Sequence, residues 1–309
     1  MKKYDPEEIR CFVTTPLFDE KVTLDKDPSW PKISIITASY NQAEFLEKTI
    51  LSILNQNYPN LEYIIIDGQS DDSSLQIIRK YEKYLAYWVS EKDRGQVYAL
   101  NKGFSKATGQ IIGWQNSDDI YMPFAFTQIA ELFLKHPHVD VVFGNTICID
   151  ENEGAIGEIR FTPFSALAHL YEGMSINNQS SFWRKDLFSR IGMLDTRLQF
   201  SMDYEFFLRA ARKNAKFRLL RSYLGAFRTH PTSKSSTIAH VSQIDHAHIS
   251  CMYKHSLVFS HLLKIISLLR RSVYYIVQGD IDYVLAGLVR RLKKIGYGKK
   301  YSKQSDPGN

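Results

Sequence analysis

Two adjacent carboxylates, Asp118 and Asp119, follow the apolar run 111–115. Carboxylate oxygens are hard ligands, and such a pair after a strand suits Mg2+ or Mn2+ bridging a diphosphate. A metal held there stabilises the charge developing on a nucleoside-diphosphate leaving group. An Asp-Asp pair is also a common turn before a helix, and this one runs into Met122-Pro123. Two other apolar runs stop at polar groups in the same way. Residues 32–37 lead into Thr37-Ala38-Ser39-Tyr40-Asn41, and residues 62–67 lead into Asp67-Gly68-Gln69-Ser70-Asp71-Asp72. Ligands of open α/β sheets bind outside the carboxyl ends of the strands, so three such endings on one edge describe a cleft. The turn after the first run contains no glycine, which excludes both the dinucleotide fingerprint and the glycine-rich phosphate loop with its lysine.

The elements that must position these residues are legible in the periodicity. The runs 32–37, 62–67, 111–115 and 139–144 are β-branched and continuous, as in strands buried on both faces. Between them 44–54, 73–84 and 124–134 carry helical spacing, so strand and helix alternate and a parallel-rich α/β sheet is expected. After Asp150 the alternation fades: 163–171 and 204–213 read as helices, 180–183 and 217–228 as extended, and the sheet is expected to become mixed. From Val241 onward the pattern is mainly helical.

These residues, in this order, resemble the inverting glycosyltransferases of family 2, of the bacterial polysaccharide-biosynthesis type. The matching stretches are Thr37 to Asn41; Asp67, Ser70 and Asp72; Ser90-Glu91-Lys92-Asp93-Arg94-Gly95; Asn101-Lys102-Gly103; Ala107-Thr108-Gly109; Trp114 to Asp119; Met202-Asp203-Tyr204-Glu205; and Arg228-Thr229-His230. The resemblance implies the GT-A fold, a Rossmann-like mixed sheet flanked by helices, here with a C-terminal helical appendage. It implies that Thr37 and Asp67 hold the nucleoside base and that Asp93 and Arg94 line the same pocket. Ser39, Asn41 and Asp118 then belong to the donor site, Asp119 to the metal, and His230 to the metal or the phosphates. Asp203 matches the base, although Met202 stands where the family often has Glu, and Glu205 is the residue left to substitute in part.

Chemistry makes the same demand, because displacement at a sugar carbon needs a carboxylate to take the proton of the incoming hydroxyl. At the start of a helix the dipole is expected to hold Asp203 ionised with a low pKa. The implied activity is metal-assisted transfer of a sugar, with inversion, from a nucleotide-diphosphate donor to a saccharide or glycolipid acceptor. A nucleotidyltransferase is the alternative, though it lacks its glycine-rich loop here, and the Met202 departure leaves open an inactive nucleotide-sugar binding module.

A chain of 309 residues, 44% hydrophobic and 23% charged, buries a substantial core. It is expected to divide into an N-terminal extension (1–30), a catalytic domain (31–238, with a nucleotide-sugar half 31–145 and an acceptor half 146–238) and a basic helical region (239–309). Three widely separated cysteines imply neither disulfides nor a zinc site. No secretory signal opens the chain, so a cytoplasmic location is expected. The net charge of +6 belongs to the tail, where eleven Lys and Arg from Lys254 onward face Asp280, Asp282 and Asp306. No nucleic-acid motif accompanies it, so no nucleic-acid partner is expected. Lys264, Arg270 and Arg271 interrupt the apolar stretch 257–277 and argue against a span. That stretch fits a helix packed on the domain or lying on the anionic inner face of a membrane.

Overall fold

The computed structural model describes residues 5–253 and 260–287. The chain divides into two compact units, Met1–His255 and Ser256–Asn309. The basic cluster from Arg290 onward, and Lys254 and His255 at the boundary, lie outside the described residues.

The described residues of the first unit form nine strands: β1 (Ile33–Ser39), β2 (Leu61–Asp67), β3 (Tyr87–Ser90), β4 (Ile111–Trp114), β5 (Ile120–Tyr121), β6 (Val141–Ile149), β7 (Ala155–Ile159), β8 (Ser181–Arg184) and β9 (Phe217–Arg228). Their order is β3-β2-β1-β4-β8-β6-β9-β5, with β7 paired to β6. The half β3-β2-β1-β4 is parallel. Beyond it β8 runs antiparallel to both β4 and β6, and β6 and β9 are parallel, which gives the expected mixed sheet.

Every residue of β1 is buried, and its side chains alternate between two cores as the pleat requires. Ile33 and Ile35, with Tyr63 and Ile65 of β2, pack under α3 (Ala43–Leu54), α4 (Ser74–Tyr81) and α6 (Ala125–Lys135). Ile36, Ala38, Ile64 and Ile66 pack under α5 (Gln96–Lys106), α8 (Leu187–Ile191) and α9 (Met202–Arg212). The parallel register sets Ser39 beside Asp67 and Asp67 beside Ser90, so the polar endings share one edge.

Several elements carry too little pattern to be read in advance. The expected helix over 73–84 is α4 followed by a separate 3-10 turn, Glu82–Tyr84. Strands β3, β5 and β7 are short, and α5 has Asn101, Lys102 and Gly103 within it. Within the first thirty residues lie α1 (Pro6–Thr14), capped by Asp5, and α2 (Glu20–Leu24). Helix α1 buries Ile9, Phe12 and Val13 against Ile120, Met122, Ile147 and Ile149, a third core under the edge that carries β5.

The second unit contains α12 (Ser260–Val277), an 18-residue helix. No helix among the described residues is long and apolar enough to cross a membrane.

Candidate active site

The ends of β1, β2 and β3 are stitched together by their own polar groups. Asp67 is wholly buried and accepts hydrogen bonds from Ser70 N (2.9 Å), Ser70 Oγ (2.5 Å) and Ser90 Oγ (2.6 Å). Asn41, at φ +51°, donates its N–H to Ser70 Oγ and accepts from Asp71 N. Thr37 is buried, with its Oγ1 accepting from Tyr63 OH at 3.2 Å. A Cβ added at Gly68 would lie 3.0 Å from Asp93 Oδ2 and 3.3 Å from the Tyr40 ring, so the three residues adjoin, with Tyr40 exposed. Ser39 Oγ is buried there with no hydrogen-bond partner among the described residues. Arg94 is exposed and stacks over the Tyr98 ring. The residues expected for the nucleoside therefore share one rim, but Thr37 and Asp67 are engaged from within.

The paired aspartates divide their work. Asp119 is 1% exposed, and both of its oxygens are occupied: Oδ1 accepts from Arg228 N (2.8 Å), and Oδ2 from Asn116 Nδ2 and Gln179 Nε2 (2.8 Å each). Burial and the neighbouring Asp118 carboxylate push the Asp119 pKa upward, while the three N–H donors favour its ionised form. Asp118 is more open. Its Oδ2 lies 3.1 Å from His230 Nε2, and the other ring nitrogen of His230 meets Thr232 Oγ1 at 2.9 Å. Thus His230 stands beside Asp118 and Asp119 faces inward.

The wholly buried Arg228 positions this loop. Its Nε donates to Asp118 O, and its Nη1 reaches Asp150 O and the Glu153 carboxylate. On the other side Thr49 Oγ1 bonds to Ser117 O and Asp119 O. Gln179 is placed by close packing, since a Cβ at Gly225 of β9 would fall 2.0 Å from Gln179 O and only glycine fits. A chain of side chains then runs outward from Asp119 through Asn116 and Gln96 to Lys234. The sequence assigns no role to Arg228, Gln96 or Lys234, because each acts through a partner far away in the chain, whereas Asn116 is tied to Asp119 three residues on and to Gln96 twenty residues back.

Asp203 opens α9 and is 7% exposed, with its Oδ1 accepting from Tyr204 N at 2.8 Å. Burial pushes its pKa up to about 6, against the N–H groups and the Lys234 charge that favour ionisation. The low pKa expected from the helix dipole is thereby corrected: desolvation outweighs the dipole at this depth. Helix α9 is anchored by His169, whose Nε2 meets Tyr204 O at 3.0 Å while Tyr204 OH donates to His169 O at 2.7 Å. Asp245 Oδ2 accepts the N–H groups of Gln199, Phe200 and Ser201 just before it. Glu205 is held by Arg209 and by Tyr253 OH, so its oxygens are committed to packing.

A mixed sheet that gathers carboxylates at its parallel strand ends, with a further buried carboxylate at a helix start, is the arrangement of the GT-A glycosyltransferases. The chain belongs to glycosyl transferase family 2, whose family model matches residues 34–192. An uncharacterized glycosyltransferase of Mycobacterium tuberculosis is 32% identical over 189 residues, covering 59% of this chain and 70% of the relative. TuaG of Bacillus subtilis, a putative teichuronic acid biosynthesis glycosyltransferase, is 36% identical over 94 residues, covering 29% of this chain and 36% of TuaG. The crystal structure of Staphylococcus aureus TarS residues 1–349 with UDP-GlcNAc aligns over 81% of this chain and 88% of that one, with a TM-score of 0.54 at 18% identity. That likeness is one of fold.

Proposed function

We propose that this glycosyltransferase moves a sugar from a nucleotide-diphosphate donor to a hydroxyl of a saccharide or glycolipid acceptor, with inversion, in the building of cell-surface polysaccharide. The observation that carries the reading is Asp203. A buried carboxylate with a pKa of about 6 is ionised at neutral pH yet basic enough to take the acceptor's proton. The acceptor oxygen bonds to the anomeric carbon as the bond to the phosphate oxygen breaks, and its proton passes to Asp203. A single displacement inverts the anomeric configuration once. UDP-sugars are the first donors to test, given the UDP-GlcNAc complex of TarS, and the TuaG relative favours an acceptor of the cell envelope.

The donor set fits a divalent cation that arrives with the diphosphate. Asp118 and His230 offer one carboxylate and one imidazole 3.1 Å apart, while no cluster of three ligating side chains exists among the described residues. Mg2+ and Mn2+ sites of this kind complete their shell with substrate phosphates and water. Asp118 and His230 would hold the ion, and Asp119, through its three N–H donors, would keep the Asp118 backbone in place. When bound, the metal supplies charge stabilisation to the leaving diphosphate.

Incubation with nucleotide-sugars and Mn2+, analysed by anion-exchange chromatography and NMR, tests the proposal. Release of nucleoside diphosphate with an inverted product is expected. Pyrophosphate release would establish nucleotidyl transfer instead, and binding without turnover on any acceptor tried would favour the inactive module.

The second unit taken alone supports a location on the inner face of a membrane. Leu262, Ile265, Ile266, Leu269, Val273 and Ile276 share one face of α12 and are each more than half exposed. From Lys254 onward the chain carries eleven basic side chains against three acidic ones. An apolar face on so cationic a segment matches an anionic lipid surface, with each basic residue contributing on the order of 1 kcal/mol. Co-sedimentation with phosphatidylglycerol vesicles, lost in Leu269→Glu or in high salt and absent with phosphatidylcholine, is expected. No binding at low salt, or a dimer that Leu269→Glu dissociates, would overturn it.

A further inference from the structure

Lys234 takes no part in the proposed proton transfer or metal site, and its setting is unusual for a lysine. It begins the single helical turn Lys234–Thr237, four residues beyond His230. Its ammonium donates to Gln96 Oε1 at 2.8 Å, and among the described residues it makes no ion pair. Two of its three N–H donors are therefore unspent, on a side chain largely withdrawn from water. Burial lowers its pKa, and the carboxylates of Asp203, Asp245 and Asp118 act to raise it. A buried cation without a partner costs stability. Lysine stems ordinarily snorkel to keep the charge in water, whereas this one is held at Gln96 within electrostatic reach of three carboxylates.

The surroundings say what it awaits. Asp118, with His230, is where the diphosphate and its cation are read to bind, and Asp203 is where the acceptor's proton goes. Both feel the Lys234 charge, although no ion pair closes on either. Of the other basic groups of this site, Arg228 is wholly buried and paired with Glu153, whereas Arg94 is exposed over the Tyr98 ring and not withdrawn from water as Lys234 is. The turn after β1 contains no glycine and offers no phosphate cradle. Through Gln96 and Asn116 the lysine is tied to Asp119, so the cation and the carboxylate loop are held as one unit.

We infer that Lys234 is the protein's own cation for the donor's diphosphate, binding phosphate oxygens in the ground state and stabilising them as the leaving group departs. The inference rests on the proposed glycosyl transfer. In that reaction the electron pair of the broken bond moves from the anomeric carbon to the phosphate oxygen, and the added negative charge collects on the nucleoside diphosphate. A fixed ammonium stabilises that charge without the reorganisation that water needs. It shares the task with the divalent ion, so its weight is greatest when the ion is removed.

Calorimetry on the full chain separates these contributions, with UDP, GDP, ADP and dTDP as probes beside their nucleosides, in Mn2+ and in EDTA. Lys234→Met removes the charge and keeps a stem of similar length, and Lys234→Arg keeps the charge. The Met variant should lose on the order of ten- to a hundredfold in affinity for the nucleoside diphosphate that the parent binds. It should keep the parent's affinity for the matching nucleoside, and its loss should be larger in EDTA. Lys234→Arg should recover most of the diphosphate affinity. Equal diphosphate affinity in parent and Lys234→Met would overturn the inference, as would equal losses for diphosphate and nucleoside. A lowered affinity for an anionic acceptor alone would overturn it too, assigning the lysine to the acceptor side. Failure of the parent to bind any of the four diphosphates would refute the donor reading itself, a result distinct from the others.

Discussion

Asp203→Asn should make the protein more stable and nearly inactive at the same time. The native carboxyl is raised from its ordinary 3.8 to about 6, chiefly by burial. Between those two values the folded state binds more protons than the unfolded one, so stability falls as pH rises through the window and the full penalty stands above it. A shift of about two units at 1.36 kcal/mol each corresponds to a penalty on the order of 3 kcal/mol at pH 7 and above. Asparagine has no charge to desolvate, and its Oδ1 can still accept from Tyr204 N as Asp203 Oδ1 does. The variant and the parent should therefore unfold alike below about pH 3, and the variant should lead by about 3 kcal/mol at pH 8. Urea unfolding at a series of pH values measures the difference directly. On the catalytic side, turnover of the parent should rise with pH to an inflection near 6, because only the ionised carboxylate accepts a proton. The variant should lose about a hundred- to ten-thousandfold in kcat with donor affinity kept. A stability difference that does not change with pH would refute the raised pKa. Turnover within a few-fold of the parent would remove Asp203 as the base.

Three further outcomes follow from the same geometry. His230→Ala should remove the enhancement of nucleoside-diphosphate binding by Mn2+ while leaving metal-free binding near the parent's value, and an unchanged Mn2+ dependence in titration calorimetry would exclude His230 from the metal. Arg228→Met leaves the buried Glu153 with Lys48 as its remaining cation and frees the Asp118 backbone, so it should cost about 1.5–3 kcal/mol in urea unfolding; a cost below about 0.5 kcal/mol would show that the guanidinium is not what holds the loop. Gly225→Ala drives a Cβ into Gln179 O and should lower donor affinity and melting temperature together, and a variant equal to the parent in both would show that β9 yields there at no cost.

The fold was legible wherever a strand is buried on both faces, because such a strand must be apolar along its length. That holds for β1, β2 and β6. It fails for β5, only two residues long and held by pairing with Gly225 and Ala226, and for β7, whose residues face partly outward. Helix α1 also escaped, since three buried residues among polar ones give a weak stripe until the surface they cover is known.

The site was legible as a set of carboxylates and less so as a division of labour among them. Spacing shows that Asp118 and Asp119 are neighbours, but it cannot show which one has its oxygens already occupied. That is decided by Gln179, 60 residues away, and Arg228, 109 residues away, which both donate to Asp119 and leave Asp118 to face His230. The same reasoning explains Asp203, where the local signal was a helix start and the outcome was set by depth. A helix terminus offers a carboxylate roughly 0.3–1 kcal/mol at an exposed site, whereas losing water altogether moves a pKa by several units. Sequence position announces the dipole, and only the packing of α9 under the sheet announces the burial. Lys234 completes the pattern from the cationic side: within its own stretch of serines and threonines it reads as a solvated loop lysine, and it acquires a function only because α5 brings Gln96 to it from 138 residues away. The chemistry of such a site resides in groups whose ordinary solvation the fold has removed, and the fold removes it through contacts distant in sequence.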